Sequence, residues 1–170
     1  MSQPPRILRA DAHLRRTDAA GHAVAGDAAR PVVDVAVGVL IRPQDGRFLL
    51  TSRPAGKVYA GYWEFPGGKL EAGETVAQAL ARELHEELGL HLAPEAIVHW
   101  REQMVDYPHA LVRLHFCKVH AWQGVLQMRE GQAFSWQNLP VQVAPVLPGA
   151  LPVLQWLAEE AASSGAPAPL

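Results

Sequence analysis

The sequence contains a single cysteine, which excludes a fold held together by internal disulfides. Because Cys117 stands alone among the 170 residues, no internal disulfide can form, and we expect a cytoplasmic location. Its position in a segment of alternating apolar residues favours a buried structural thiol over a nucleophile. No apolar run approaches membrane-spanning length, and the first 30 residues lack the basic-then-apolar order of a signal peptide. We therefore expect no membrane partner.

An excess of positive charge is also missing. The formal net charge is −2, so no basic field would attract nucleic acid, and we expect no strong nucleic-acid signature in its binding. The eight histidines show no tight ligand spacing, and we assign none of them to a metal. With 49% hydrophobic residues, a chain of this length suits one globular domain with its own core. Composition leaves open whether the protein is a monomer or a homodimer.

Three segments of the chain differ in composition. Residues 1–31 are rich in Ala, Arg, Asp and His and lack a sustained apolar period, so we interpret them as an N-terminal extension, ordered only in part. Residues 32–160 carry the predicted strands and helices and form the domain. Residues 161–170 consist largely of Ser, Gly, Ala and Pro, which predicts a flexible C-terminal tail.

The predicted strands begin with a β-branched run at residues 32–41, which suits a largely buried strand. A second strand is predicted at 47–52. The turn residues at 44–46 predict that these two strands form a hairpin. The remaining predicted strands are 97–105, 111–122 and 134–136.

Two amphipathic helices are predicted. The first lies between Glu74 and Gly89, where the glycine suits a C-cap. The second spans 149–160. Its predicted core residues are Leu151, Leu154 and Leu157. Strands followed by a helix, twice over, indicate an α/β fold with a mixed sheet flanked by helices.

The first predicted helix carries a cluster of carboxylates. At about 100° per residue, Glu83, Glu86 and Glu87 project to one side of the helix, beside an apolar stripe. Like charges at this spacing repel one another. A hard divalent cation such as Mg²⁺ removes that conflict, because it binds carboxylates and substrate phosphates together. A solvated charged face is the alternative interpretation.

The loop before this helix favours the metal interpretation. The segment fits the pattern G-x5-E-x7-R-E-U-x-E-E-x-G-U, where U is a bulky aliphatic residue. Its fixed positions are Gly68, Glu74, Arg82, Glu83, Leu84, Glu86, Glu87, Gly89 and Leu90. The segment resembles the Nudix box of the Nudix hydrolase superfamily. The preceding Trp-Glu-Phe-Pro-Gly-Gly-Lys at 63–69 is similar to the MutT-like branch, which includes 8-oxo-dGTP diphosphatases.

The resemblance implies a Nudix-type α/β/α sandwich and a Mg²⁺-dependent hydrolase, with Mn²⁺ as a substitute cation. Such an enzyme cleaves a nucleoside triphosphate to the monophosphate and pyrophosphate, and so sanitises the nucleotide pool. Glu83 is the leading candidate for the general base, Glu130 is a rival base or a further metal ligand, and Arg82 is expected to orient the cluster. The implied metal ligands are Gly67, Glu83, Glu86, Glu87 and Glu130. The implied substrate-binding residues are Arg53, Phe65, Gly67, Gly68 and Lys69.

Several residues near the motif have two interpretations. Glu74 lies near a helix N-terminus, where a carboxylate is stabilising on its own, so a structural role stays open beside a functional one. A Walker phosphate loop is excluded, because Leu70 follows Lys69 where Ser or Thr is required. Trp63 and Trp136 are candidates for lining a base pocket, although burial in the core explains most tryptophans.

The side chain expected to recognise a purine is missing. In the MutT-like branch an asparagine before the last helix reads the oxidised guanine edge, and Ala150 stands at that position, with Leu151 beside it. An arginine expected after Pro108 is also missing, and Ala110 is the nearest match. The side chains of Ala150, Leu151 and Ala110 cannot hydrogen-bond a base. Three hypotheses stay open: a nucleoside triphosphate as substrate; a nucleotide sugar, dinucleoside polyphosphate or RNA 5′ end as substrate; or a non-catalytic ligand sensor.

Overall fold

A computed structural model describes residues 6–18, 20, 22–23 and 30–165. In chain order, their strands and α-helices are β1 (Leu8–Arg9), β2 (Val32–Leu40), β3 (Phe48–Ser52), β4 (Trp63–Glu64), β5 (Gly67–Lys69), α1 (Val76–Leu88), β6 (Ile97–Asp106), β7 (Leu111–Val119), β8 (Phe134–Gln137) and α2 (Leu151–Ser163). The central sheet has the strand order β1-β6-β7-β2-β5. Its β1–β6 and β2–β7 pairs are parallel and the others antiparallel. A smaller antiparallel sheet has the order β4-β3-β8.

The two helices cover opposite faces of the central sheet. Successive side chains of a strand point to opposite faces, and along β2 they enter two different core clusters. Ala36 and Leu40 pack with Leu84 and the other buried leucines of α1. Val37 packs with the cluster that includes Val153 of α2. The predicted α/β/α sandwich with a mixed sheet is therefore confirmed.

The predicted hairpin between β2 and β3 is wrong, although its turn is present. The N–H of Arg42 donates to the carbonyl of Arg47 at 2.8 Å, which closes the turn. The two strands then share one bridge, between Ile41 and Phe48, and enter different sheets. Because β5 pairs with β2 over residues 35–37, that edge is occupied and β3 pairs with β4 and β8.

Capping residues set the ends of α1. The Thr75 side chain accepts from the N–H of Gln78 at 3.2 Å, and the Gln78 side chain accepts from the N–H of Thr75 at 2.9 Å. This capping box stabilises the first turn by about 1 kcal/mol. Gly89 ends the helix in the left-handed region at φ 69°, as its sequence position predicts.

The core residues of α2 differ in part from the prediction. Leu154 and Leu157 pack against the core, but Leu151 is 53% exposed, and Val153 is fully buried instead. The stripe that packs on the sheet runs through Ala150, Val153 and Leu157 at helical spacing, which turns Leu151 to the opposite side. The helix continues to Ser163, three residues beyond the predicted domain end.

The described part of the first 31 residues packs against the domain. β1 adds a parallel strand to β6. Asp106, at the end of β6, is 8% exposed and accepts hydrogen bonds from Arg16 and Arg30. The boundaries at residues 31 and 160 stay predictions, and residues 166–170 of the predicted tail lie outside the described part. Among the described residues, neither helix has the length and apolar content that crossing a bilayer requires.

Candidate active site

A cavity of about 440 Å³ is lined by residues of α1, β2, β5, β7 and the turn before α2. Its volume falls within the range of small-ligand sites. The cavity has two kinds of lining. Its acidic wall consists of Glu64, Glu83, Glu87 and Glu130. Its apolar wall consists of Val35, Val37, Phe65, Val112, Leu114, Phe116, Leu147 and Ala150.

Two glycines of β5 permit close approaches that no other residue would allow. A Cβ at Gly68 would lie 2.2 Å from Cδ of Glu83, so the Glu83 carboxylate rests directly on the Gly68 backbone. A Cβ at Gly67 would lie 2.0 Å from the carbonyl oxygen of Ala36. Gly67 therefore allows β5 to pair with β2, and Gly68 allows α1 to place Glu83 against that strand.

Arg82 holds Glu83 in position. Its Nε and Nη2 donate to the two carboxylate oxygens of Glu74 at 2.6 and 2.9 Å, and its Nη1 donates to Glu83 at 2.9 Å. A further bond, of 3.0 Å, joins Nη2 to the carbonyl of Lys69. The Arg82 guanidinium and then the N–H of Glu71 lower the pKa of Glu74 to about 2. Glu74 and Arg82 thus lie behind Glu83 and fix its orientation.

Glu86 and Glu130 occupy different surroundings. The Glu86 side chain is 57% exposed and contacts Arg82 at 3.4 Å, outside the described cavity lining. Glu130 lines the cavity and pairs with Lys57 at 3.5 Å. Its own N–H donates to the buried side chain of Gln132 at 3.0 Å, which folds the 130–132 loop inward. The structure therefore groups Glu130 with Glu83 and Glu87, and places Glu86 at the outer edge.

Glu87 is a carboxylate whose pKa is strongly raised by its surroundings. Burial raises its pKa to about 8, with the charges of Glu130, Glu83 and Glu64 adding to the effect, while Lys57 opposes it. Negative charge thus exceeds positive charge around Glu87. An additional cation in this cavity would relieve the excess.

Basic side chains also line the cavity beside the acids. Nη1 of Arg53 donates to both carboxylate oxygens of Glu64, at 3.2 and 2.9 Å, and its Nε donates to the carbonyl of Val58 at 2.6 Å. Burial raises the pKa of Glu64, and Arg53 opposes that shift. Lys57 and the exposed Lys69 complete the basic group. These positions suit binding of phosphate oxygens.

Tyr107 supports the apolar wall from the end of β6. The N–H of Gly149 donates to the Tyr107 hydroxyl at 3.1 Å, and a Cβ on Gly149 would lie 2.6 Å from that oxygen. This contact brings the turn before α2, with Ala150, to the cavity. Phe65 lines the same wall at 4% exposure. The described lining includes neither Trp63 nor Trp136.

Sequence reasoning assigned no role to several cavity residues. Glu64 stands inside the recognised 63–69 segment, so its place in that motif was an available signal. Lys57 is the one lysine of a glycine-containing loop, which is a weak signal for a phosphate contact. Tyr107, His109 and Gln132 lie on segments far apart in the chain, and nothing in their spacing indicates that they share a cavity.

The donor set fits a hard divalent cation. The acidic wall offers carboxylate oxygens, and the Gly67 and Gly68 backbone lies beside them. Oxygen ligands of this kind are those that Mg²⁺ and Mn²⁺ prefer. Histidine, which would favour Zn²⁺, enters the described lining through His109 alone, near Tyr107.

The sandwich fold and the acid-lined cavity point to a class, the enzymes of α/β fold that hydrolyse phosphoanhydrides. Within that class, a model of the NUDIX domain matches residues 33–157, and the chain belongs to this family. The resemblance of its motif to the Nudix box and the MutT-like branch is therefore confirmed.

Relatives in the family share much of the chain. An 8-oxo-dGTP diphosphatase of Haemophilus influenzae is 42% identical over 107 residues, covering 63% of this chain and 76% of that protein. A CTP pyrophosphohydrolase of Escherichia coli is 36% identical over 125 residues, covering 73% and 90%. The E. coli ORF135 protein structure superposes with a TM-score of 0.65 at 34% identity, covering 82% and 96%. A MutT structure, from a comparison of Aliivibrio salmonicida and Vibrio cholerae, superposes with a TM-score of 0.62 at 27% sequence identity. The match covers 76% of this chain and 99% of that chain.

Proposed function

We propose that the protein is a Mg²⁺-dependent pyrophosphohydrolase that cleaves a nucleoside triphosphate to the monophosphate and pyrophosphate. The observation that carries this proposal is one cavity lined by both carboxylates and basic side chains. Polyphosphate hydrolysis needs these two groups together, because cations must neutralise the phosphates while a base activates water. Removal of damaged nucleotides from the cellular pool is the role that such a reaction supports.

Each wall of the cavity has a separate task in this reaction. Glu83, Glu87 and Glu130, with the Gly67 carbonyl, would hold the cation, and Glu86 would join them from the outer edge. The bound cation would neutralise phosphate charge and acidify water. Arg53, Lys57 and Lys69 would bind phosphate oxygens. Glu83 is the leading candidate for the base and Glu130 the rival. The apolar wall would receive the nucleobase.

The base specificity of the enzyme has two candidates. The first candidate is an oxidised purine, which is supported by the relatives named 8-oxo-dGTP diphosphatase. The second candidate is a cytidine nucleotide, as the relative named CTP pyrophosphohydrolase acts on CTP and is covered over 90% of its length. Ala150 argues against the first, because it lines the cavity where a purine-reading amide is expected.

A hydrolysis screen that separates the products by anion-exchange chromatography tests the activity and its specificity together, because nucleotide sugars and dinucleoside polyphosphates are cleaved without release of pyrophosphate. The panel contains normal nucleoside triphosphates, 8-oxo-dGTP, a nucleotide sugar, a dinucleoside polyphosphate and a 5′-triphosphate RNA, each with and without Mg²⁺. We expect Mg²⁺-dependent turnover of at least one triphosphate, with Mn²⁺ as a substitute. Nucleotide binding without turnover of any compound would contradict the proposal and favour a ligand sensor. Cytoplasmic location and oligomeric state stay outside this test, and the former remains a prediction.

A further inference from the structure

A group of side chains with the chemistry of metal ligands lies on the central sheet. One ligand atom each of His99, Glu102 and His115 lies within 4.8 Å of the other two. The described lining of the active-site cavity includes none of these residues. His99 and Glu102 lie on β6, and His115 lies on the neighbouring β7. None of the three has a part in the proposed hydrolysis.

A β-bulge assembles this group. His99 pairs with Cys117 and Glu102 pairs with His115, and the register shifts between His99 and Arg101. With regular pairing, residues 99 and 102 would point to opposite faces of the sheet. The extra residue reverses the alternation, so Glu102 faces the same side as His99. The two side chains therefore reach His115 together.

The geometry places one carboxylate oxygen between two imidazoles. Oε1 of Glu102 lies 3.1 Å from Nδ1 of His115 and 3.5 Å from Nε2 of His99. The His99 and Glu102 side chains are 49% and 53% exposed, so ions from solvent reach them freely. The His115 side chain is 11% exposed and is held firmly by its neighbours.

Asp34 gives His115 the partner that metal-bound histidines usually have. Its Oδ1 lies 2.8 Å from Nε2 of His115, on the side of the ring away from Glu102. A ligating histidine commonly presents its second nitrogen to a carboxylate, which fixes the tautomer and the ring orientation. Asp34 itself contacts Arg113 at 3.3 Å, so its position is also constrained.

We propose that His99, Glu102 and His115 bind one Zn²⁺ ion, with Asp34 orienting His115 and water as the fourth ligand. Two imidazoles and one carboxylate suit Zn²⁺ and similar borderline cations, whereas Mg²⁺ prefers oxygen alone. The bound ion ties β6 to β7 and, through Asp34, to β2. Its chemistry differs from that of the acidic wall, so the two sites select different cations.

Zinc titration of the untagged protein tests the proposal. A chromophoric chelator reports free Zn²⁺, and excess Mg²⁺ occupies the carboxylates of the active site. We expect one tight equivalent in the wild type and its loss in His99→Ala and Glu102→Gln. Asp34→Asn should weaken binding by about 10- to 100-fold, the usual effect of losing such a partner. His120→Ala, which removes an exposed histidine just after β7, should leave affinity unchanged.

Two further measurements separate this site from the active site and from a misfolded variant. A Glu83→Gln/Glu87→Gln double variant should keep the tight equivalent, and Co²⁺ in place of Zn²⁺ should give the visible spectrum of a tetrahedral site. His99→Ala and Glu102→Gln change exposed side chains, so their thermal unfolding without metal should match the wild type. The proposal is overturned if no tight equivalent is found, if His99→Ala binds Zn²⁺ as well as the wild type, or if the double variant loses it.

Discussion

The acidic and apolar walls of the cavity are built in different ways. Glu83 and Glu87 lie one turn apart on α1, and their positioning residues Arg82, Glu74 and Gly68 lie within the same short segment. The apolar wall instead draws on β2, β7 and the turn before α2, which are far apart in the chain. The α1 side of the acidic wall is therefore set by local sequence, with Glu64 and Glu130 joining it from other segments, whereas the apolar wall is set by tertiary packing.

The largest effect is expected at the acidic wall. Glu83→Gln should lower kcat by about 1000-fold, because it removes the leading candidate for the base while conserving shape. Steady-state pyrophosphate release gives this number, and circular dichroism checks the fold. Glu159→Gln, an exposed substitution on α2, is the matched control and should leave kcat unchanged. Equal turnover in the wild type and Glu83→Gln would move the base role to Glu130.

A smaller loss is expected when Glu83 is kept but its support is weakened. Arg82→Lys retains the charge but cannot bridge Glu74 and Glu83 with a planar fork. We expect kcat to fall by about 10- to 100-fold with little change in KM, since the residue acts through Glu83. Arg129→Lys changes an arginine that bonds the carbonyl of His85 near the other end of α1, and should have little effect. A change confined to KM would contradict the positioning role.

The crowding of the acidic wall predicts a pH-dependent stability. The folded-state pKa of Glu87 is about 8 and its ordinary value is 4.5, so the folded protein binds more protons between these values. Stability without metal should therefore fall as pH rises from 4.5 to 8. Glu87→Gln should remove that slope and raise the free energy of unfolding above pH 8 by about 2 kcal/mol. Urea unfolding in EDTA gives the comparison, and parallel pH profiles would contradict it.

The smallest effect is expected at the apolar wall. Ala150→Asn adds a donor and an acceptor to the cavity where a methyl group now lies. We expect the kcat/KM for 8-oxo-dGTP relative to CTP to rise by about 10-fold, with little change in the Mg²⁺ dependence. Leu151→Asn, at the exposed neighbouring position, is the control and should leave the ratio unchanged. An unchanged ratio in Ala150→Asn would show that the base lies elsewhere.

The sequence predicts the α1 part of the acidic wall well because Glu83 and Glu87 are close together in the chain, whereas Glu64 and Glu130 join the wall from other segments. Helical spacing alone places Glu83, Glu86 and Glu87 on one side of α1, and the structure adds that Glu86 lies at the outer edge. Glu74 and Arg82 are eight residues apart in the chain. Their hydrogen bond forms because the loop before α1 turns Glu74 back toward the helix. Roles of these residues in metal binding and catalysis stay predictions until the variants are measured.

Features that depend on strand pairing could not be predicted. The turn at 44–46 is present, but the hairpin is not, because β5 occupies the edge of β2. The His99, Glu102 and His115 group depends on a one-residue bulge in the β6–β7 register, and no spacing in the sequence reveals it. Apolar residues also surround the first two turns of α2, so helical spacing alone does not show which side packs inward, and the prediction of Leu151 in the core is wrong.

The most direct test of the central claim is the identity of the products formed from a nucleoside triphosphate. ³¹P NMR of CTP and 8-oxo-dGTP with the wild-type protein would show them, first with EDTA and then with excess Mg²⁺. The cavity predicts no reaction in EDTA and equal amounts of nucleoside monophosphate and pyrophosphate after Mg²⁺ is added. Unchanged substrates in both samples, or release of inorganic phosphate with a nucleoside diphosphate, would contradict it.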